Sequence, residues 1–326
     1  CEALDVGPGD LVWTSPISFV ASANCAIYCG AKVDFVDINL DTYNIDPILL
    51  EEKLNKSEIL GCLPKVLIVV HMCGQPCNMK EIHRLSLKYK FKVIEDASHA
   101  TGASFDMQPV GNCKYSDISV FSFHPVKIVT TGEGGIATTN SEALSEKLRL
   151  FRSHGVTRDT DYFVGENCKD QQWYYEQQSL GYNYRLSDIQ AALGLAQLRN
   201  LNEFILRRNE IASIYNKKLS DIHRLNVPQL SHNVLSSFHL YVVRIDFSDK
   251  NEKIKLFRHF TKNNINLNVH YIPIHTQPFY RNLGFKSGDF PIAEKYYEQA
   301  VSLPIYPSLE HEDVYRITDI IEEFLS

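Results

Sequence analysis

The chain has 326 residues, of which 44% are hydrophobic and 22% are charged, and its net charge is −6 at pH 7. This composition is typical of a globular protein that buries a large core. The length is greater than that of a usual single domain. The acidic balance argues against a nucleic-acid partner, and the longest apolar runs are far shorter than the roughly 20 residues that a membrane span needs.

The chain starts with CEALDVGPGD, which reads as the last turn of a helix that is ended by Gly7-Pro8-Gly9. No residue suited to cap that helix precedes its apolar positions. We therefore expect the natural protein to have a further N-terminal segment upstream of residue 1.

Short apolar runs then alternate with amphipathic segments as far as residue 140. Strands are predicted at Leu11–Thr14, Val33–Val36, Val66–His71, Phe91–Glu95, Asp117–Phe123 and Gly135–Thr139. Helices are predicted at Ser18–Gly30 with Ser18 as the cap, at Asp46–Leu54, at Asn78–Tyr89 and, after the last strand, at Ser141–Ser153. Strands that alternate with helices of this kind indicate right-handed crossover units, and so an α/β fold with a mainly parallel sheet.

Helices predominate after residue 140. Residues 156–178 lack periodicity and are predicted to form a long loop, whereas apolar positions at intervals of three and four predict one helix from Asp188 to Leu219. Beyond Pro228 the pattern indicates a smaller α+β unit. Its predicted strands are His239–Ile245 and Ile265–Tyr271, and its predicted helices are Lys253–Asn263, Ile292–Val301 and Asp313–Leu325. We predict a large domain over residues 1–203 and a small one, with the linker helix, over residues 204–326.

Eight cysteines are scattered through these elements, at positions 1, 25, 29, 62, 73, 77, 113 and 168. The pairs Cys25/Cys29 and Cys73/Cys77 have neither the two-residue spacing nor the matching histidine pair of a structural zinc site. The sequence therefore predicts no bound metal. Reduced thiols in a cytoplasmic protein are the expected state.

A carboxylate and an amine are predicted at one edge of the sheet. Asp96 follows the strand FKVIE, and Lys127 follows the strand DISVFSF further along the chain. Ligands of open α/β sheets bind at the carboxyl ends of the strands. Pyridoxal phosphate needs such a pair, because an amine bonds to its aldehyde carbon and a carboxylate keeps its ring nitrogen protonated.

Each part of this pattern also has a simpler interpretation. An aspartate after a strand is often a helix cap or a turn residue, and a lysine in a loop is usually solvated. The stretch Gly132-Glu133-Gly134-Gly135 alone would mark only a tight turn, since it lacks the glycine order that opens a dinucleotide-binding helix. The residue pattern alone therefore leaves these alternatives open.

At FSFHPVK and TGEGG, within residues 121–135, the chain resembles the DegT-type sugar aminotransferases. The resemblance continues through TSPISFVASANC, KVDFVDI, VIEDASHATGA, LFRSHGVTRD, GYNYRLSDIQAALGLAQL, NVHYIPIHTQPFY and SLPIYP, and so covers essentially the whole chain. It implies a fold-type I pyridoxal-phosphate enzyme that forms a homodimer with shared active sites. The segments TSPISFVASAN, SFHPVK and RSHGVTRD look most like the branch of the family that serves pseudaminic acid biosynthesis.

The resemblance also implies roles for particular residues. Lys127 would be the Schiff-base lysine and would move the proton between substrate and cofactor. The implied cofactor contacts are Asp96 at the pyridine nitrogen, His99 near the 3-hydroxyl, Ser122 at the phosphate, Phe19 on the ring face, and Asn183 at the phosphate of the neighbouring subunit's cofactor. Asn268, Val269, His270 and Tyr271 would line the sugar side. If His270 and Tyr271 lie in a strand, alternation lets only one of them face the ligand directly.

The implied reaction moves an amino group from L-glutamate to C4 of a UDP-linked 4-keto-6-deoxy-N-acetylhexosamine. Related enzymes aminate C3 or C4 of several nucleotide sugars, so the exact sugar stays open. A sugar 3-dehydratase of the same fold would carry histidine in place of Lys127. A non-catalytic, cofactor-binding regulator is a further alternative, whereas a nucleotide-sugar dehydrogenase is disfavoured because no glycine fingerprint follows a predicted strand.

Overall fold

The computed structural model describes residues 1–165 and 170–326. Its strands are β1 (Leu11–Thr14), β2 (Lys32–Phe35), β3 (Val66–Val70), β4 (Lys92–Asp96), β5 (Ser104–Phe105), β6 (Gln108–Pro109), β7 (Ile118–Ser122), β8 (Gly135–Thr138), β9 (Val156–Thr157), β10 (Glu176–Gln177), β11 (Leu225–Asn226), β12 (Val234–Leu235), β13 (Tyr241–Ile245) and β14 (Ala300–Leu303). Its α-helices are α1 (Ala21–Tyr28), α2 (Pro47–Leu60), α3 (Met79–Tyr89), α4 (Glu142–Arg152), α5 (Asp188–Leu198), α6 (Leu201–Leu219), α7 (Lys250–Lys262), α8 (Pro278–Asn282), α9 (Pro291–Gln299) and α10 (His311–Leu325).

Six strands form the main sheet, in the order β2-β1-β3-β4-β7-β8. Every neighbouring pair is parallel except β7 and β8, which are antiparallel. The sequence of β3 is VLIVV, and all five residues are buried. A continuous apolar run of this kind is typical of a central strand that helices cover on both faces. The predicted α/β class with a mainly parallel sheet is confirmed.

Side-chain caps fix the starts of three helices where the sequence predicted them. Asp46, Asn78 and Ser141 accept hydrogen bonds from backbone N–H groups in the first turns of α2, α3 and α4. Each cap satisfies an amide that the helix itself leaves unpaired. The cap predicted at Ser18 is wrong, because α1 begins after it and the Ser18 hydroxyl lies 2.7 Å from Oγ of Ser22.

The middle of the chain corrects two further expectations. The single helix predicted over residues 188–219 is two helices, α5 and α6, because Asn200 leaves the helical conformation between them (φ −99°, ψ 4°). Asparagine readily does so, since its side chain competes with the helix for backbone hydrogen bonds. Part of the predicted loop 156–178 is ordered, with β9 and β10 paired antiparallel.

The C-terminal part is an α+β unit, as predicted. Strands β11, β13 and β14 form an antiparallel sheet, and its core includes Tyr215, Tyr241, Leu256 and Val314. The helix predicted over residues 292–301 ends at Gln299, where the chain continues as β14. The domain boundary placed at residue 203 stays a prediction, and α6 runs across that position.

The strand predicted at residues 265–271 is wrong. Only Asn268 pairs in strand fashion, through an isolated bridge to Ser302 of β14. The next amide, that of Val269, donates to Oδ1 of Asn268 at 2.7 Å and not to a neighbouring strand. A local side-chain bond therefore replaces the ladder.

The described residues also show the state of the cysteines and bear on the presence of membrane-spanning helices and metal sites. The seven cysteines among them are free thiols, whereas Cys168 lies outside the described residues. Within the same ranges, no helix combines the length and apolar character that a bilayer crossing requires. The described part of the chain holds no group of three or more His, Cys, Asp or Glu side chains placed to bind a metal.

Candidate active site

Asp96 and Lys127 lie at the carboxyl ends of adjacent parallel strands. Asp96 is the last residue of β4 and pairs in register with Val120 of β7, and Lys127 lies in the loop after β7. Burial lowers the pKa of the Lys127 amine, and the Asp96 charge opposes that effect without cancelling it. A lysine that gives up its proton more readily than usual is a better nucleophile and a better base.

Backbone hydrogen bonds close the loop that carries Lys127. The Phe123 amide donates to the Gly134 carbonyl at 2.8 Å, and the Thr131 amide donates back to the Phe123 carbonyl at 3.0 Å. The amide of Lys127 itself donates to the carbonyl of His124 at 2.9 Å. Gly134 has a φ of +157°, and a Cβ there would lie 2.3 Å from Oγ1 of Thr131. The glycines of TGEGG therefore allow this tight return.

The Asp96 carboxylate is oriented by two hydrogen bonds from this chain. Its Oδ2 accepts from the Ser22 hydroxyl at 2.6 Å, and its Oδ1 accepts from the Ser98 amide at 3.1 Å. The Ser22 hydroxyl in turn lies 2.7 Å from that of Ser18. Hydrogen bonds to a charged carboxylate are among the stronger ones in proteins, so they hold Asp96 in one orientation.

His99 is buried beside these residues and is held by the C-terminal part of the chain. Its Nε2 lies 3.1 Å from the Tyr271 hydroxyl, and the two rings stack with centroids 6.0 Å apart. Its Nδ1 has no hydrogen-bond partner among the described residues. Burial, followed by the nearby His239, Lys127 and His270, lowers the pKa of His99 well below its usual value. The imidazole is therefore neutral at pH 7.

Phe19 presents its ring to solvent beside the same residues. Phe19 is 61% exposed, and its ring centroid lies 6.3 Å from that of Tyr271. This exposure excludes a core role for Phe19. An exposed aromatic face next to a carboxylate and an amine offers a surface on which a planar ligand would stack.

Ser122 is the last residue of β7 and pairs with Gly135 of β8. Its Oγ accepts a hydrogen bond from the His124 amide at 3.3 Å. The hydroxyl hydrogen has no acceptor within the part of the chain that the structure describes. Ser122 is therefore able to donate to an anionic group at the end of β7.

The four residues expected on the sugar side differ in their surroundings. The ring of His270 is fixed by Ser302, whose Oγ lies 2.8 Å from Nδ1, and the His270 carbonyl accepts from the Tyr296 hydroxyl at 2.7 Å. Burial and the Lys127 charge lower the pKa of His270 to about 4. Val269 packs against the buried cluster that includes Tyr43 and Tyr296.

Strand alternation does not decide which of His270 and Tyr271 faces a ligand. No strand forms there, Tyr271 contacts both His99 and Phe19, and His270 lies within electrostatic range of Lys127. Both side chains therefore lie near residues that were predicted to form the site.

Asn183 is not brought to this group of residues. It forms an isolated antiparallel bridge with Ser153, and its side chain is exposed. Among the described residues, no hydrogen bond links Asn183 to Asp96, Ser122 or Lys127. The contact implied for Asn183, with the cofactor of a neighbouring subunit, stays a prediction.

Together these groups fit pyridoxal phosphate. Lys127 is an amine with a lowered pKa within range of the Asp96 charge, and Phe19 offers an exposed ring face. Nδ1 of His99 has no partner among the described residues and so is free to bond to a ligand atom.

Sequence reasoning missed three residues that contact this group. His239 packs against His99 with ring centroids 4.5 Å apart, Ser22 donates to Asp96, and Ser302 holds His270. Ser22 lies in the quoted segment TSPISFVASANC, and Ser302 is the first residue of the quoted segment SLPIYP. No spacing or local pattern singles out His239, because its partner lies far away in the sequence.

Comparison with known proteins agrees with this geometry. The chain matches the DegT/DnrJ/EryC1/StrS aminotransferase family over residues 1–322. It is 36% identical to UDP-4-amino-4,6-dideoxy-N-acetyl-beta-L-altrosamine transaminase of Campylobacter jejuni, covering 97% of this chain and 79% of that protein. It is 34% identical to GDP-perosamine synthase of Escherichia coli O157:H7, covering 99% of this chain and 81% of that protein.

A solved structure gives the same result at the level of the fold. The putative sugar aminotransferase Spr1654 from Streptococcus pneumoniae, in its PMP form, superposes with a TM-score of 0.87 at 28% identity, covering 99% of this chain and 84% of that one. The chain therefore belongs to the DegT/DnrJ/EryC1/StrS aminotransferase family and is a pyridoxal-phosphate-dependent sugar aminotransferase of fold type I.

Proposed function

We propose that this enzyme aminates C4 of a UDP-linked 4-keto-6-deoxy-N-acetylhexosamine, with L-glutamate as the amino donor, in pseudaminic acid biosynthesis. The chemistry rests on one observation, the placement of Asp96 and Lys127 at the carboxyl ends of the adjacent strands β4 and β7. The choice of sugar rests on the similarity to the Campylobacter jejuni altrosamine transaminase over nearly the whole chain.

Lys127 is the proposed catalytic residue. Bound pyridoxal phosphate supplies the electron sink that stabilises a carbanion at the amino-bearing carbon. The Lys127 amine takes a proton from the substrate carbon in one half of the reaction and returns one in the other. Proton transfer by a positioned group typically contributes about 10²–10⁴ to a rate. Burial supports this role, because it lets Nζ exist as a free amine at a lower pH than an exposed lysine does.

The other proposed roles divide between the cofactor and the sugar. Asp96 holds the proton on the pyridine nitrogen, His99 donates or accepts at the 3-hydroxyl, Ser122 donates to the phosphate, and Phe19 stacks on the ring. Asn268, Val269, His270 and Tyr271 line the side that receives the sugar. The orientation of Asp96 by Ser22 and the unpartnered Nδ1 of His99 support the first set.

A spectral titration tests the proposed reaction. The protein is loaded with pyridoxal phosphate, then given L-glutamate, then given the UDP-linked 4-keto sugar, and the absorbance of the bound cofactor is followed. We expect the band to fall with glutamate and to recover with the sugar. A Lys127→Ala variant should lose both changes. Turnover of that variant at a near-normal rate would contradict the assignment of Lys127, and an unresponsive wild-type band would favour the non-catalytic regulator.

A second nucleotide keto sugar is the alternative substrate. The similarity to the Escherichia coli perosamine synthase supports this alternative, because that relative is named for a GDP-linked product. Pockets of one family discriminate such sugars through few contacts. The same titration with GDP-linked and C3-keto sugars ranks them, and faster recovery with one of these would replace the proposed substrate.

We further propose a homodimer whose active sites are shared. The segment that carries Asn183 and the helix α5 expose many apolar side chains, namely Leu180, Tyr182, Tyr184, Leu186, Ile189, Leu193, Leu195 and Leu198. Exposed apolar side chains that are concentrated in one segment often mark a protein interface. Free thiols support a cytoplasmic location as part of the same proposal.

Mixed dimers test whether Asn183 acts across the interface. Subunits with Lys127→Ala and subunits with Asn183→Ala are unfolded together, refolded and assayed. If Asn183 serves the partner's site, each mixed dimer regains one intact site, and about a quarter of the wild-type activity returns in a random mixture. Absence of any recovery would mean that Asn183 acts within its own subunit or not at all.

A further inference from the structure

His239 and His99 form a pair of buried imidazoles next to Lys127. Their ring centroids are 4.5 Å apart with an interplanar angle of 44°, and the two residues are 7% and 4% exposed. His239 precedes β13 in the C-terminal part, whereas His99 follows β4. The contact therefore joins two parts of the chain beside the candidate site.

The backbone around His239 is fixed from two directions. Arg208 of α6 donates from Nη1 to the carbonyls of Phe238 at 3.0 Å and His239 at 3.3 Å. The Ser237 hydroxyl donates to the carbonyl of His99 at 2.7 Å. The segment 237–239 is thus tied to α6 on one side and to the turn that carries His99 on the other.

Both rings of the pair are uncharged at neutral pH. Burial lowers the pKa of His239 well below its usual value, and Lys127, Arg208 and His270 add to that effect. Burial also dominates the lowered pKa of His99. Two neutral rings pack together without the repulsion that two imidazolium ions would have.

The nitrogen atoms indicate how His239 acts. Nδ1 of His239 is buried and has no hydrogen-bond partner within the described residues, so replacing it removes no bond at that atom. The ring of His239 fills space against His99, whose own Nδ1 is also without a partner. A wall of fixed shape there limits the rotation of the His99 ring and directs its free nitrogen.

We infer that His239 is a positioning residue, whose ring holds His99 in the orientation that the bound cofactor requires. The inference rests on the role proposed above for His99. It assigns to His239 an effect on cofactor binding that depends on the presence of the His99 ring. Shape is what His239 contributes, so an aromatic ring of similar size should replace it.

Binding of pyridoxal 5′-phosphate to the cofactor-free protein tests the inference without any assay of turnover. The dissociation constant is measured by cofactor absorbance and by quenching of protein fluorescence. We expect His239→Ala to weaken binding about tenfold, a typical size for coupling between side chains in contact. His239→Phe should restore binding to within about twofold of wild type, since volume-conserving changes are tolerated best.

A double-variant cycle with His99→Ala separates positioning from general loss of structure. Once the His99 ring is absent, adding His239→Ala should weaken binding no further. His259→Ala is the matched control, because His259 of α7 also has a buried unpartnered nitrogen, but its ring contacts Phe260 and Phe324. This control should leave the dissociation constant unchanged.

The outcomes distinguish this inference from the proposal on which it rests. An equal effect of His239→Ala with and without the His99 ring would overturn the inference and leave the role of His99 intact. A His99→Ala variant that binds the cofactor like wild type would overturn both. Failure of His239→Phe to restore binding would show that shape is not what His239 contributes.

Discussion

The Ser22 hydroxyl donates to Oδ2 of Asp96 across 2.6 Å and so ties the first turn of α1 to the carboxyl end of β4. The bond links two segments that are far apart in the sequence but adjacent at the edge of the sheet. It leaves Oδ1 of Asp96 with the amide of Ser98. The direction of the carboxylate is therefore set by this chain before any ligand arrives.

Loss of that bond should weaken cofactor binding. Ser22→Ala leaves Asp96 charged but less well oriented, and we expect the dissociation constant of pyridoxal phosphate to rise about tenfold, the usual scale for a hydrogen bond to a charged group. Titration of the cofactor absorbance measures the change. Ser18→Ala is the control, since Ser18 contacts Ser22 and not Asp96. Equal affinity of Ser22→Ala and wild type would show that Asp96 needs no support from α1.

The lowered pKa of Lys127 predicts how the stability of the cofactor-free protein depends on pH. A buried amine binds its proton more weakly in the folded state than in the unfolded chain. Protonation therefore opposes folding at neutral pH, and this penalty fades as the pH rises from the lowered value toward the ordinary 10.5. We expect Lys127→Met to be more stable than wild type near pH 7, and the two to converge as the pH approaches 10.5.

Urea unfolding of both cofactor-free proteins between pH 7 and pH 10 measures this convergence. Lys56→Met serves as a control for the loss of a charge, because Lys56 is an exposed residue of α2. A stability difference between Lys127→Met and wild type that stays constant over this range would mean that the pKa of Lys127 is not lowered.

Removal of the hydroxyl that holds His270 should affect only one half of the reaction. Ser302→Ala frees the His270 ring, whose Nδ1 now lies 2.8 Å from the Ser302 Oγ. We expect the KM for the keto sugar to rise about tenfold, in line with the loss of one well-formed hydrogen bond. The rate at which glutamate bleaches the cofactor band should not change and serves as the internal control. An equal impairment of the glutamate half-reaction and the sugar half-reaction would mean that His270 acts on the cofactor and not on the sugar.

Gly74 should tolerate no side chain. A Cβ there would lie 2.2 Å from the Ser237 Oγ and 2.9 Å from the His99 carbonyl, at a φ of +97°. We expect Gly74→Ala to lower the free energy of unfolding by about 3 kcal/mol, through strain and displacement together. Gly61→Ala is the matched control, with a φ of +67° and no atom within 4 Å of the added carbon.

The control at Gly61 should cost only about 1 kcal/mol, the strain of the left-handed conformation itself. Equilibrium unfolding in urea measures both variants. A similar decrease in the free energy of unfolding at both positions would mean that Ser237 moves away from the added methyl group at no energetic cost.

The sequence predicted the part of the site that local chemistry defines. Asp96 and Lys127 follow apolar strands of a parallel sheet, and the edge where such strands end is fixed by topology. The sequence could not place His239 in the site, because nothing near that residue in the chain reveals its contact with His99. The strand β14 was missed for a related reason. Its residues continue the apolar pattern of α9, and only pairing with β13 makes them a strand.

The bond between His99 and Tyr271 joins residues 172 positions apart. During synthesis, the strands of the main sheet leave the ribosome before Tyr271 does, so the nascent chain lacks this side of the candidate site until residue 271 has emerged. The His99 ring therefore gains this partner only after Tyr271 has been synthesised. A product shortened before residue 271 would keep Asp96 and Lys127 yet would have no Tyr271 to hold His99.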